Sequence, residues 1–135
     1  MGRNVLVCTA AVIIRQGRLL LAQRKEASQF GLKWELPGGK PEGNESLEDC
    51  LKRELAEELG VEAEVGETFT VATMNLNDTK LVMIFYLCKL LTNGIELREH
   101  VNYAWVSKEE LPKYGLAPID SIVVEQIKQL PQMQT

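Results

Sequence analysis

The sequence predicts an α+β domain built on a mixed β-sheet, and three features of the chain point that way. Strand-like and helix-like segments are interspersed without the strict βαβ alternation of a doubly wound fold. Residues 46–59 carry an apolar row at helical spacing, whereas Leu81-Val82-Met83-Ile84-Phe85-Tyr86-Leu87 is a continuous apolar run of the kind a buried strand needs. At 135 residues the chain fits a single domain, 1–135, long enough to bury a core without disulfide staples.

Val5 to Ile14, rich in Val, Ile, Ala and Thr, is the first strand. Gln16-Gly17 is a turn leading into Leu19–Gln23, so the two segments form a hairpin. A mixed stretch, Arg24 to Lys33, precedes Trp34-Glu35-Leu36-Pro37-Gly38-Gly39, whose Pro-Gly-Gly end is a turn with side chains out of the way. Helix 46–59 opens at Ser46, with Asp49 three residues on in a capping-box-like arrangement, and closes at Gly60. Leu47, Leu51, Leu55 and Leu59 make its apolar row. Glu67–Thr73 and Lys80–Leu90 read as strands joined by a loop over Asn75–Thr79, and Ala104–Val106 as a short strand. Ser107-Lys108-Glu109-Glu110 is a second capping box opening a short helical turn, and Ile119–Leu130 a terminal amphipathic helix.

Composition narrows the function. The formal net charge is −4, so no basic field is available to attract a nucleic acid polymer. Cys8, Cys50 and Cys88 lie far apart and form no CxxC pair, which argues against zinc or a redox couple and suits a reducing compartment. The apolar run Val5–Ile14 is followed closely by Arg15 and Arg18, so neither a secretory leader nor a membrane span is expected, and the expected location is cytoplasmic.

The polar face of helix 46–59 is the informative part. Glu54, Glu57 and Glu58 stand at i, i+3 and i+4, where like charges repel by a few tenths of a kcal/mol per pair. Glu57 and Glu58 also occupy the last turn, where the helix dipole disfavours an anion by about 0.3–1 kcal/mol at an exposed site. Arg53, at i+4 from Glu57, offsets only part of this. A divalent cation removes the conflict, because clustered carboxylate oxygens are the hard ligands that magnesium and manganese prefer. Magnesium keeps several waters and is completed by substrate phosphates, so the cluster points to a metal held jointly with a polyphosphate.

From Gly39 the chain reads Gly39, five residues, Glu45, seven residues, then Arg53-Glu54-Leu55-Ala56-Glu57-Glu58-Leu59-Gly60-Val61. This resembles the Nudix box, GX5EX7REUXEEXGU with U a bulky aliphatic, at every constrained position from 39 to 61. LLLAQR at 19–24, WELPGGK at 34–40 and the spacing from Glu99 to Trp105 are similar to the MutT-like branch of the Nudix hydrolases. The resemblance implies a Nudix fold, a mixed sheet sandwiched between helices, and Mg2+-dependent hydrolysis of a nucleoside diphosphate linked to another moiety, with Mn2+ able to substitute. MutT-like members convert a nucleoside triphosphate to monophosphate and pyrophosphate.

Carried onto this chain, the resemblance makes Glu54, Glu57 and Glu58 metal ligands, with the Gly38 carbonyl and Glu99 as further ligands. Glu96 lies close to Glu99 and competes for that assignment. Arg53 orients the glutamates, Glu45 holds the loop, and Glu54 is the general base with Glu99 in reserve. Arg24 and Gly39 fall where the substrate's phosphates lie. Asp120, in Leu116-Ala117-Pro118-Ile119-Asp120, resembles the LAP-x-D stretch of CTP-pyrophosphohydrolase-like members, bordering the base pocket; from the residues alone it is equally a cap of the last helix. His100, a lone histidine on a loop, is expected to be solvated or hydrogen-bonded and receives no catalytic role, and Trp34 and Phe85 are expected in the core.

The expectation is a MutT-like pyrophosphohydrolase of a (deoxy)nucleoside triphosphate, with an oxidised purine or a cytidine nucleotide as candidate substrates, working as monomer or homodimer on a small-molecule substrate. Hydrolysis of ADP-ribose or another nucleoside diphosphate-X is the alternative within the enzyme class. A non-catalytic nucleotide-binding module is the alternative outside it, disfavoured because all four box glutamates are present.

Overall fold

The first strand, β1 (Asn4–Arg15), runs parallel to β6 (Thr79–Leu90), in register from Asn4↔Thr79 to Ile13↔Cys88. This is a computed structural model that describes residues 4–134. Gln16 and Gly17, at φ 54° and 74°, form the positive-φ turn that reverses the chain into β2 (Arg18–Gln23). Two short strands follow, β3 (Trp34–Glu35) on β2 and β4 (Gly38–Gly39) on β1. β5 (Ala63–Leu76) flanks β6, and β7 (Asn102–Ser107) flanks β2. The result is a seven-stranded mixed sheet with the path β3-β2-β1-β6-β5, to which β4 and β7 attach through β1 and β2.

The two-residue period of β1 divides the core. Ala10 and Val12 join Leu19, Leu21 and Phe85 on one face, against Val123, Val124 and Ile127 of helix α2 (Pro118–Ile127). Ala11 and Ile13 join Leu20 on the other, against Leu51, Leu55 and Leu59 of helix α1 (Leu47–Leu59). The fold is therefore an α/β/α sandwich in the α+β class. Each of these buried leucines contributes about 1.5–3 kcal/mol relative to exposure. Ser46 caps α1 by accepting from the Asp49 N–H at 3.0 Å, and Gly60 closes it in the left-handed region at φ 64°.

Several boundaries differ from expectation. β5 begins at Ala63 rather than Glu67 and runs to Leu76, so the expected loop 75–79 shrinks to Asn77-Asp78. β5 lies at the end of the sheet path, and its many exposed residues hide its length from any apolar pattern. α2 ends at Ile127 rather than Leu130, before Pro131, which opens a short 3-10 turn at Pro131–Met133. The capping contact at Ser107 exists, its N–H and hydroxyl both donating to Glu110 Oε1, but the turn it introduces is a 3-10 turn at Leu111–Lys113. Phe85 is fully buried and Trp34 half-buried, edge-on to Tyr114 at 5.0 Å. Among the described residues no helix is long and apolar enough to cross a membrane.

Candidate active site

β4 brings Gly38 and Gly39 against β1, opposite Ala10 and Thr9. Thr9 Oγ1 donates to the Gly39 carbonyl at 3.0 Å, locking the turn from beneath. A Cβ on Gly38 would stand 2.0 Å from the Thr9 carbonyl oxygen, and one on Gly39 would stand 2.2 Å from Glu54 Oε2. Glycine at these two positions is what lets α1's carboxylates and the β4 backbone share one floor.

Arg53 organises the acidic end of α1. Its guanidinium reaches Glu45 at 2.6 Å, Glu57 at 3.0 Å, Glu54 at 3.5 Å and the Lys40 carbonyl at 3.1 Å. Glu45 in turn accepts from the Glu42 N–H at 2.9 Å, which braces the loop before α1. Bonding from Arg53, helped by that N–H, draws the Glu45 pKa down to about 2, and Arg53 itself is raised chiefly by Glu45.

The three helix glutamates part company. Glu58 is buried, lines the cleft, and has its Oε1 buried without a hydrogen-bond partner. Burial, reinforced by repulsion from Glu54, Glu35 and Glu99, pushes its pKa up to about 9, against an opposing hydrogen bond from the Gly38 N–H. Glu54 is mostly buried and its pKa is raised, first by burial and then by Glu57 and Glu99, against the pull of Arg53. Glu57 is 56 % exposed and turned onto Arg53, and neither it nor Glu54 belongs to the cleft lining. Among the described residues no three acidic, histidine or cysteine side chains form a ready-made cation cage. Arg53 competes for Glu57, and α1 alone closes no shell.

The cleft itself has a volume of about 250 Å³, below the ~300 Å³ lower end for pockets that engulf a drug-sized ligand. Glu58, Gly38, Gly39, Arg24 and Lys25 all line it. Glu99 joins from the loop between β6 and β7. That loop is stitched to the end of α1 by the Glu96 N–H to the Leu59 carbonyl, 2.8 Å, and the Arg98 N–H to the Glu58 carbonyl, 3.0 Å. Glu96, the competitor by sequence, lies outside the cleft lining.

Two cleft residues carried no functional expectation. His100, expected as an ordinary loop histidine, is 7 % exposed and bonded through Nε2 to Glu35 Oε2 at 2.8 Å, and Glu35 Oε1 meets Arg24 at 2.7 Å. Only WELPGGK as a whole pointed toward Glu35; nothing local marked His100. Asp120 is not a helix cap, since Ala117 occupies that position without a side-chain bond. Asp120 is instead 2 % exposed and accepts the Leu36 N–H at 3.1 Å, and burial drives its pKa up to about 7. It is not part of the cleft lining, although Leu36 is.

The arrangement suits an anion with an accompanying cation. Buried oxygen donors are hard ligands, and the unpartnered Glu58 Oε1 is a lone-pair donor removed from water, a state a divalent ion would relieve. Arg24 and Lys25 supply the charge that phosphate oxygens require.

Comparison with known proteins agrees with this chemistry. A family model for the NUDIX domain matches residues 5–127. The chain is 37% identical over 122 residues, 90% of each chain, to the CTP pyrophosphohydrolase of Escherichia coli. It is 30% identical over 128 residues, 94% of each, to the 8-oxo-dGTP diphosphatase of Haemophilus influenzae. The solved structure of the MutT protein from Methanosarcina mazei superposes with a TM-score of 0.85 at 28% identity, covering 96% of both chains. With its box, its sandwich and its relatives in agreement, the chain belongs to the Nudix family of hydrolases, on the MutT-like side.

Proposed function

We propose that the chain, as one domain in the cytoplasm, is a Mg2+-dependent pyrophosphohydrolase that converts a nucleoside triphosphate to the monophosphate and pyrophosphate. The observation carrying this reading is Glu58, a buried carboxylate with an unpartnered oxygen, in one cleft with Arg24 and Lys25.

Glu54, Glu58, Glu99 and the Gly38 backbone would hold the divalent ion, with Glu57 brought in from Arg53 on loading. When bound, that ion supplies Lewis acidity, neutralising phosphate charge and making water easier to deprotonate. Arg24 binds the phosphate chain, and Gly39, lacking a side chain, lets it approach the floor of the cleft. Arg53 keeps Glu54 and Glu57 oriented through its ion pairs. Glu54 takes the proton from the attacking water, its raised pKa making it a better base than an ordinary carboxylate; Glu99 is the alternative base.

For the base, the names of the relatives favour cytidine or an oxidised guanine. Asp120 stands behind Leu36 in the cleft wall, its Oδ1 already accepting the Leu36 N–H, and would meet a nucleobase edge only where substrate entry displaces that wall. The test is a panel of nucleotides with magnesium, reading pyrophosphate against orthophosphate. Pyrophosphate from CTP or 8-oxo-dGTP supports the reading; AMP and ribose phosphate released from ADP-ribose, with the triphosphates untouched, would replace it.

A further inference from the structure

Three segments distant in sequence meet in one wall of the cleft. Arg24 follows β2, Glu35 lies in β3, and His100 sits on the loop before β7. Glu35 uses both carboxylate oxygens: Oε2 accepts from His100 Nε2 at 2.8 Å and Oε1 from Arg24 Nη1 at 2.7 Å. Arg24 Nε is held separately by the Gln29 carbonyl at 2.7 Å. Neither bond engages Arg24 Nη2. The His100 side chain is 7 % exposed and Glu35 18 %, so the inner bond of the chain is shielded from water while Arg24 opens onto the cleft.

A carboxylate only accepts, so the His100 nitrogen facing Glu35 carries the proton of that bond. With one bond to each oxygen, the plane of the Glu35 carboxylate is fixed, and the guanidinium opposite it loses its freedom to rotate. An arginine side chain has much rotamer freedom to lose, and restraint before binding lowers the cost of engaging a phosphate. His100 is the far anchor of this restraint. Without it, Glu35 Oε2 is a poorly solvated lone pair, and the cheapest relief is to swing toward Arg24 and close over it.

We propose that His100 is a positioning residue for the hydrolysis: acting through Glu35, it holds Arg24 open to the phosphate chain of the substrate. The proposal rests on the reading that the cleft binds a nucleoside triphosphate through Arg24. It makes His100 matter for substrate engagement although it touches no reacting atom.

The decisive experiment is a double-mutant cycle on triphosphate hydrolysis. His100→Leu should raise KM about tenfold while kcat changes less than about threefold. His100→Gln, whose amide nitrogen reaches the place of Nε2, should recover most of that loss. In an Arg24→Ala background, His100→Leu should add less than about twofold, because the two residues act as one unit. Should His100→Leu fail to fold, Glu35→Gln takes its place in the cycle. Losses that multiply, a KM unmoved by His100→Leu, or His100→Gln no better than leucine would overturn the proposal. A second readout needs no turnover: His100 is the chain's single histidine, so its imidazole gives one set of NMR signals. A protected Nε2–H resonance that Glu35→Ala abolishes supports the chain of bonds; its absence in the wild type refutes the chain while leaving the hydrolase reading intact. A wild type inert toward every nucleotide, with the resonance present, would defeat the hydrolase reading instead.

Discussion

The Glu54 carboxylate lies against the α-carbon of Gly39, so close that a methyl group added there would stand 2.2 Å from its Oε2. The contact is between a backbone carbon and the end of a flexible side chain, so Gly39→Ala can be accommodated by moving Glu54 alone. Activity should fall about a hundredfold, the cost of misplacing a catalytic group by an ångström, while Tm shifts by only a few degrees. Gly38→Ala differs, because its Cβ meets the Thr9 carbonyl oxygen at 2.0 Å and β4 must leave β1. That variant should lose at least about 1 kcal/mol in urea denaturation as well as activity.

Glu58, with its pKa near 9, carries a proton in the metal-free protein at neutral pH. A divalent ion can bind its oxygen only by displacing that proton. Titrating Mn2+ into the protein at pH 7 in buffers of different ionisation enthalpy should show release of about one proton per site, and affinity should strengthen as pH rises toward 9. Buffer-independent heats would contradict it.

Asp120 gives stability its own pH dependence. Its folded pKa is about 7, above the value near 4 of an unfolded aspartate, so between those values only the folded state holds the proton. Unfolding then releases a proton and is favoured by raising the pH. The stabilisation is fully present below about pH 4, declines by up to about 1.4 kcal/mol per pH unit and is gone above about pH 7. Asp120→Asn keeps an acceptor for the Leu36 N–H and cannot titrate. The stability of the wild type relative to this variant, from denaturation curves at pH 5 and pH 8, should drop across that interval.

Arg53 bonds Glu45, Glu57 and the Lys40 carbonyl at once, with Glu54 at 3.5 Å. Lysine has one ammonium and cannot span them. Arg53→Lys should keep the fold, since Ser46 and the leucine row form α1, yet lower kcat about a hundredfold or more by freeing Glu54 and Glu57. Retention of full kcat would remove Arg53 from the orienting role.

What was legible in the sequence is what local spacing controls. Ser46, the leucines of α1 and Gly60 lie within one helix and its caps, and the box from Gly39 to Val61 marks the family as directly as the fold. The Val, Ile, Ala and Thr content of Val5 to Ile14 was equally readable as a buried strand. Side-chain partners from distant segments were not. His100 meets Glu35 across 65 residues and Asp120 meets Leu36 across 84, so their burial is a consequence of sheet topology rather than of any nearby pattern. Glu57 pairs with Arg53 at 3.0 Å, the i+4 partner that helical spacing names. The length of β5 escaped notice because a sheet's edge tolerates polar residues that resemble a loop.

On the proposed function, Glu58, the buried acid at the end of α1, serves a metal and its phosphorylated substrate. The most direct measurement is magnesium-dependent turnover of the preferred triphosphate by Glu58→Gln, alongside its metal-free Tm. kcat should be at least about a thousandfold lower, equivalent to about 4 kcal/mol of transition-state stabilisation, with a Tm equal to or above the wild type's because a costly buried acid is gone. Turnover within threefold of the wild type in a folded variant would contradict it.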